Sequence, residues 1–258
     1  MYIRQQLSLI DTMARMSLKA DASRYFLGYI WWILEPLFYV AVFYLVFELL
    51  LNAGRGDFLV FLMCGKLTFV WFSKSVNQAA RSIVAGSGLI GRIDVPKWLF
   101  PVAVLHEGLY KQAAVFGLLL VVVVSGGYPV HAGWLALLPM LLVNYLLIVA
   151  CALAGAFLAC LLLDIAILIS LGTTLLLFTS GVFWDVRQLG SPAVTDAVLT
   201  WNPLAFLVDG YRQILMYNSV PDLLHLAVLG AACALLVAAM VILMQRFSQF
   251  LALRAITA

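Results

Sequence analysis

Charged residues are scarce in this chain. They make up 10% of its 258 positions, whereas hydrophobic residues make up 65%. A soluble globular domain carries about 25% charged residues, so the composition excludes that class. The hydrophobic residues occur in runs of roughly 20, the length that a helix needs to cross a bilayer, and they do not alternate with polar residues as barrel strands do. The sequence therefore predicts an all-α integral membrane protein.

Motifs for nucleotide hydrolysis and for common enzyme chemistry are also missing. No Walker A pattern occurs, because Val60 stands five positions before Gly65, where that pattern has a glycine. The HExxH and GxSxG patterns are absent as well. A GxGxxG match at 86–91 lies between membrane spans and follows no strand, so we do not interpret it as a dinucleotide site. We expect no enzyme activity and no cofactor on this chain.

Signals for disulfides, metals and nucleic acid are weak. The cysteines all fall inside apolar runs, so we interpret them as buried thiols. The three histidines are scattered, without the spacing of a metal site. A formal charge of +3 gives no indication of a nucleic-acid partner. The cysteines are Cys64, Cys151, Cys160 and Cys233.

Six membrane spans are expected from the apolar runs. The stretch from His131 to Trp184 contains a single charge, Asp164, and is too long for one helix, so we place the turn between spans four and five near Asp164. Pro221 and Asp222 mark the beginning of span six. The spans are about 29–51, 58–80 and 99–124, two within 131–184, and about 222–245.

Lysine and arginine residues are distributed unequally between the two sides of the membrane. With the N-terminus inside, nine of them lie in inner connections and three in outer connections, which predicts that both termini are cytoplasmic. The inner residues are Arg4, Arg15, Lys19, Arg24, Arg81, Arg92, Lys97, Arg246 and Arg254, and the outer residues are Arg55, Arg187 and Arg212.

The N-terminal segment, residues 1–26, lacks the apolar core of a secretory signal. Its polar residues recur every three or four positions and form one stripe of a helix. This pattern predicts a cytoplasmic amphipathic helix in the membrane interface, followed by a six-span domain at 27–258 with a cytoplasmic tail at 246–258. A solvated helix packed on a soluble partner has the same pattern. The stripe consists of Arg4, Ser8, Asp11, Arg15 and Lys19.

The segment from Trp184 to Leu215, extending to about 217, fits neither a span nor an ordinary loop. It contains two prolines and apolar pieces that are too short to cross the membrane. We expect two short re-entrant helices that dip into the outer leaflet, where such backbone is tolerated only beside protein or a water-filled cavity. A folded extracytoplasmic loop at the interface is the alternative.

Polar residues inside the spans are candidates for function. Span two carries several at helical spacing, so one side of it is expected to face protein or water. In span three, Glu107 precedes Lys111 by four residues, the favourable order for an intrahelical ion pair, and we prefer this interpretation to a proton relay. The polar residues of span two are Lys66, Ser73, Lys74, Asn77 and Arg81.

Span one opens with a stretch, Leu27 to Pro36, that combines aromatic residues with a carboxylate and a proline. A charge and a break in the helical hydrogen bonds are both costly at this depth, so both need a reason. Aromatic faces stack on sugar rings, so the stripe is a candidate substrate path; ordinary packing or an interfacial belt is the alternative. The candidate path residues are Trp31, Trp32, Glu35, Phe38, Tyr39 and Phe43.

The connection from Arg81 to Lys97 is expected on the cytoplasmic side. It has three basic residues and three glycines and is long enough for one short helix. We interpret it either as a surface that couples a soluble partner to the spans or as a solvated loop that follows the charge rule.

Three local patterns carry a resemblance to a known family. They are the entry to span one (Arg24, Leu27-Gly28, Trp31 or Trp32, Glu35-Pro36), the inner loop 82–100 (Pro96-Lys97) and the segment before the last span (Trp201-Asn202-Pro203, Asp209, Arg212). Together with the six-span layout, they resemble the permease subunits of type-two ABC exporters of bacterial cell-surface polysaccharide, in particular capsular polysaccharide and O antigen.

The resemblance implies a homodimer in the bacterial inner membrane, with a pore on its two-fold axis and a cytoplasmic ATPase subunit on each protomer. ATP and magnesium would bind that ATPase and drive a lipid-linked glycan outward. The residues implied in contact with the ATPase are Arg15, Lys19, Arg24, Ser82, Gly86, Gly88 and Arg92. Those implied at the outer mouth are Trp184, Trp201, Asn202, Pro203, Phe206, Tyr211 and Arg212.

Two other functions fit the same composition. A permease of the same fold that exports a drug or small lipid would differ in its genetic neighbourhood, where glycosyltransferase genes favour glycan. A secondary transporter or channel would act without ATP, and it is expected to have inverted repeats, which we do not find in the sequence.

Overall fold

The computed structural model describes residues 3–24, 26–46 and 57–257, and within those ranges all regular secondary structure is helical. Residues 47–56, which include the end of predicted span one and Arg55, lie outside the described part. The helices are α1 (Ile3–Arg24), α2 (Trp31–Tyr44), α3 (Phe58–Ala80), α4 (Ser82–Ala85), α5 (Ser87–Ile90), α6 (Leu99–Ser125), α7 (Leu137–Leu161), α8 (Asp164–Thr179), α9 (Pro192–Trp201), α10 (Pro203–Leu215), α11 (Leu223–Arg246) and α12 (Ser248–Thr257).

Among the described residues, four helices are long and apolar enough to cross a membrane: α3, α6, the stretch Ala132–Leu161 that contains α7, and α11. Their bounds agree with predicted spans two, three, four and six. The turn near Asp164 is confirmed, because α7 ends three residues before this position and α8 begins at it. Spans one and five stay predictions, since α8 has only 16 residues and the chain beyond α2 is described only to residue 46.

Side-chain caps and prolines set the helix boundaries before the last span. Asn202 Oδ1 accepts hydrogen bonds from the backbone N–H groups of Leu204 and Ala205 at the start of α10. Pro192 and Pro203 stand at the first positions of α9 and α10, where a helix does not need the missing N–H. The two short helices expected here are therefore present, and their depth in a membrane stays a prediction.

Helix α3 forms the centre of the bundle. In the 18-residue apolar stretch of α3, 78% of the residues are buried, whereas only 17% are buried in the corresponding stretches of α6 and α11. It packs against α2, α6, α7, α8 and α10, while α11 packs mainly on α7. Most of the hydrophobic core consists of side chains from α3 and from the helices that surround it.

A second apolar cluster lies at the end of the bundle that is expected to be cytoplasmic. It joins Ile10 of α1, Ile83 and Ile90 of the inner loop, and Leu251 and Ala255 of α12. The inner loop contains two four-residue helices, α4 and α5, rather than the one expected, and they meet at Gly86. The segment expected as a tail is a helix, α12, that packs against α4, α5 and α7.

Candidate functional site

A polar cavity of about 390 Å³ lies between α1, α2, α3 and α6. Its walls combine indole rings with charged and amide side chains. The charged lining residues come from four helices, so the cavity exists only in the folded bundle. The indole and charged lining residues are Asp21, Trp31, Trp32, Glu35, Trp71, Lys74 and Lys111.

Glu35 of α2 forms an ion pair with Lys74 of α3, with 2.6 Å between Oε1 and Nζ. Their side chains are 33% and 44% exposed, so solvent screens the pair and its contribution is at most about 1 kcal/mol. Pro36 is buried inside α2 and removes the N–H that would otherwise bond to the carbonyl of Trp32. The cavity gives Glu35 both a partner and access to water, which explains a carboxylate at this position.

Lys111 connects the N-terminal helix to α6. Its Nζ donates hydrogen bonds to Glu107 at 2.5 Å and to Asp21 of α1 at 2.7 Å. The same Nζ lies 5.4 Å from the centroid of the Trp32 ring, within cation–π range. The predicted Glu107–Lys111 pair is confirmed. The contribution of Asp21 was missed, because no local spacing relates two residues 90 positions apart.

Helix α1 packs one face against α6, with Ile10, Ala14 and Leu18 buried. Asp11, expected on the polar stripe, accepts a hydrogen bond from Tyr110 at 2.9 Å and pairs with Arg15 at 2.8 Å. The hydrogen bonds from Arg15 and then from Tyr110 hold the pKa of Asp11 below its usual value. The carboxylate therefore stays ionised and keeps α1 against the membrane helix.

The cavity brings together three of the six candidate path residues, Trp31, Trp32 and Glu35. Tyr29 packs edge-on against Trp32, with ring centroids 4.8 Å apart, and so fixes that indole. Phe38 does not line the cavity and is 59% exposed. The side chains of Tyr39 and Phe43 lie outside the described part of the structure.

The residues implied at the outer mouth separate into an exposed group and a buried group. Trp201 is 85% exposed at the end of α9, and Trp184 donates from its indole N–H to the carbonyl of Phe178 at 2.8 Å. Phe206 and Tyr211 are buried in the core of the bundle. A role at the mouth stays a prediction for all of these residues, together with Asn202 and Pro203, which begin α10.

Arg212 is buried, with 2% of its surface exposed, and it holds three segments together. Its guanidinium donates to the carbonyls of Gly181 at 2.7 Å, Val182 at 2.8 Å and Phe61 at 3.3 Å. It also lies 3.4 Å from the centroid of the Phe61 ring. Arg212 thus joins α10, α3 and the turn after α8, although the sequence placed it at the outer surface.

An ion pair also anchors α10. Arg187 donates two hydrogen bonds from Nε and one from Nη2 to the carboxylate of Asp209, at 2.8 to 3.2 Å. Gln213 donates to the same carboxylate at 2.6 Å. Sequence reasoning missed this cluster; the four-residue spacing of Asp209 and Gln213 on α10 was the signal that pointed to it.

Comparison with known proteins agrees with the resemblance seen in the sequence. Residues 100–216 match the family model described as ABC-2 type transporter. This part of the chain is similar to ABC-2 type transporters. The match begins at the second residue of α6 and ends just after α10, so it covers the α6 wall of the cavity, the turn after α8 and Arg212 itself.

Curated relatives extend the similarity over most of the chain. An O-antigen export system permease protein RfbA of Myxococcus xanthus is 26% identical over 234 residues, 90% of this chain and 89% of the relative. A protein of the same name from Klebsiella pneumoniae is 22% identical over 214 residues, 82% of each chain. The polysialic acid transport protein KpsM of Escherichia coli is 25% identical over 218 residues, 83% of each chain.

The residues that the resemblance implies in contact with an ATPase also differ in exposure. Arg15, Lys19 and Arg24 are exposed on α1, and Gly88 and Arg92 are exposed on the inner loop. Ser82 is buried, and it donates to the carbonyl of Ala79 at 2.7 Å. A Cβ at Gly86 would overlap the ring of Phe100, so this glycine lets the loop pack closely on α6.

Proposed function

We propose that the permease is the membrane subunit of an ATP-driven exporter that moves lipid-linked polysaccharide, capsular polysaccharide or O antigen, across the bacterial inner membrane. The observation that carries this proposal is the agreement of the relatives, which are named for O-antigen export or for polysialic acid transport and match 82–90% of this chain. The chain itself supplies no ATPase motif, so a separate cytoplasmic ATPase subunit hydrolyses ATP.

The polar cavity supports a carbohydrate cargo. Indole rings offer flat apolar faces, while Lys74, Lys111 and Glu35 offer hydrogen-bond donors and acceptors beside them. Charged groups are unfavourable on a lipid-facing surface, because charges at membrane depth require water or a partner. In this proposal the cavity is part of the path of the glycan, and two copies of the permease complete that path.

The exposed basic residues of α1 and the inner loop support contact with the ATPase. Arg15 and Lys19 belong to α1 and Arg92 follows α5, two helices that share one apolar cluster with α12. A movement of the bound ATPase would therefore reach α6 through the packed residues of that cluster and through the Asp21–Lys111 pair.

Purification of the permease with its cognate ATPase tests the assembly. We expect a stable complex whose ATP hydrolysis rises when lipid-linked glycan is added, because cargo and nucleotide act on one coupled machine. An ATPase carrying a substitution of its catalytic glutamate is the control for background hydrolysis. Failure of the permease to associate with any nucleotide-binding subunit would reject the proposal.

Replacement of Trp32 by alanine tests the cavity as the path. We expect less polysaccharide at the cell surface at an unchanged amount of permease, because Trp32 lines the cavity. Phe38→Ala is the matched control, since Phe38 lies on the same helix but outside the cavity. Equal surface polysaccharide in the two variants would remove Trp32 from the path.

A further inference from the structure

A second groove lies on α3, on the side facing α8. Its volume is about 240 Å³, and we call it the α3–α8 groove. Both walls belong to apolar segments that the sequence assigns to the membrane, yet the groove contains two ammonium groups and three hydroxyls. Its lining residues are Lys66, Phe69, Val70, Ser73, Lys74, Thr173, Thr174 and Leu177.

The two threonine hydroxyls of the groove form hydrogen bonds within the protein. Thr173 and Thr174 each donate to the carbonyl of Ser170 at 2.9 Å. Thr173 also accepts a hydrogen bond from Asn77 of α3 at 2.9 Å, which holds α3 and α8 in register. The two threonines therefore shape the groove and offer oxygen acceptors, and the lysines are its donors.

The charge of the groove has one sign. Among the described residues that line it, Lys66 and Lys74 carry charge, and none carries a carboxylate. Lys74 forms an ion pair with Glu35, and both residues line the larger cavity. Lys66 is 6% exposed, and its Nζ lies 5.7 Å from the centroid of the Phe183 ring. A lysine so far from bulk water is costly, and such residues mark ion or substrate pathways.

The groove and the larger cavity are neighbours, because Lys74 lines both. Lys66 stands two helical turns further along α3, roughly 12 Å away at 1.5 Å per residue, towards the predicted outer side. A polymer that leaves the cavity beside Lys74 and follows α3 outward passes Lys66 next. The two ammonium groups thus follow the expected direction of export.

We propose that the α3–α8 groove is a carbohydrate-contacting surface selective for acidic sugars, with Lys66 as the residue that recognises their carboxylates. This inference rests on the proposed function and specifies its substrate class. Ammonium–carboxylate hydrogen bonds are charge-assisted and stronger than bonds to neutral hydroxyls, so an acidic glycan is held where a neutral one of equal length is not.

Binding of two oligosaccharides to the permease–ATPase complex in lipid nanodiscs tests this inference. The probes are a sialic acid hexamer and maltohexaose, titrated at low ionic strength with ligand-detected NMR as the readout. We expect the acidic hexamer to bind about tenfold or more tightly than maltohexaose, and the difference to shrink at high salt. Lys66→Gln should abolish the preference, and Lys66→Arg should retain it.

Three binding results would overturn the inference: equal binding of the two hexamers, a preference that survives Lys66→Gln, or no binding of either hexamer, as when a second copy of the chain covers the groove. Failure of the proposed function is recognised separately. If the complex assembles and lipid-linked neutral glycan stimulates ATP hydrolysis as strongly as acidic glycan, the exporter stands and the acidic selectivity is rejected. If no ATPase associates, the exporter is rejected, and binding to the permease alone still decides the role of Lys66.

Discussion

Replacement of Gly65 by alanine is expected to destabilise the junction between α3 and α10. A Cβ at this position would lie 2.6 Å from Nη2 of Arg212 and 3.2 Å from the carbonyl oxygen of Val182, so the guanidinium must move away. Arg212 Nη2 would then lose its hydrogen bond to that carbonyl. The substitution therefore acts on the contact that holds α10 to the centre of the bundle.

The expected cost follows from three effects. Overpacking of a filled core costs about 1–3 kcal/mol. Loss of a hydrogen bond from a charged donor costs about 1.5–3 kcal/mol. Alanine recovers about 1 kcal/mol relative to glycine inside a helix. We expect a net destabilisation of about 2–5 kcal/mol, which lowers the midpoint of thermal unfolding by on the order of 5–15 °C for a chain of this size.

Gly117→Ala is the matched control, because Gly117 also lies inside a membrane helix and a Cβ there would have no atom within 4 Å. We expect this variant to be as stable as the parent, or more stable by up to about 1 kcal/mol. In the assay, the detergent-solubilised protein is heated to a series of temperatures, and the folded protein that remains is measured as its peak in size-exclusion chromatography. If Gly65→Ala and Gly117→Ala unfold at the same temperature, the guanidinium of Arg212 does not lie against Gly65.

Three further substitutions test other contacts. Glu35→Gln removes one charge of a solvent-screened pair, so we expect the unfolding midpoint to change little while surface polysaccharide falls; loss of assembly would instead make Glu35 a structural residue. Leu251→Ser should destabilise the cluster of α12 by about 2–4 kcal/mol, whereas Leu253→Ser on the exposed side should not, and equal melting would argue against a packed α12. Asp209→Asn should weaken the bonds from Arg187 and speed proteolysis between α8 and α10, and an unchanged cleavage rate would contradict this role.

Helix positions were predictable because they follow from local patterns. The apolar runs defined α3, α6 and α11 nearly to the residue, and the single charge Asp164 located the turn between α7 and α8. Asn202 and Pro203 are a local signal for the start of α10 that the sequence analysis did not use, since an amide cap and a proline at the first position both act within one turn. The spacing of Glu107 and Lys111 predicted their ion pair in the same way.

The partners of charged residues were not predictable when they lie on different helices. The ion pairs Lys74–Glu35 and Lys111–Asp21 form only when α1, α2, α3 and α6 pack together. Arg212 was assigned to the outer side because it lies in the connection before the last span, but carbonyls of the turn after α8 accept hydrogen bonds from its guanidinium inside the bundle. The fold of the segment 248–257 as a helix depends on apolar contacts with the inner loop, which no local pattern revealed.

Movement of lipid-linked polysaccharide by the purified exporter tests the central claim most directly. The permease and its cognate ATPase are reconstituted in liposomes with a fluorescent lipid-linked glycan, and the fraction that reaches the opposite leaflet is measured by quenching. We predict that this fraction rises with ATP and stays at background without ATP or with a hydrolysis-deficient ATPase. Glycan movement that is independent of ATP would contradict the account and indicate a secondary transporter or channel.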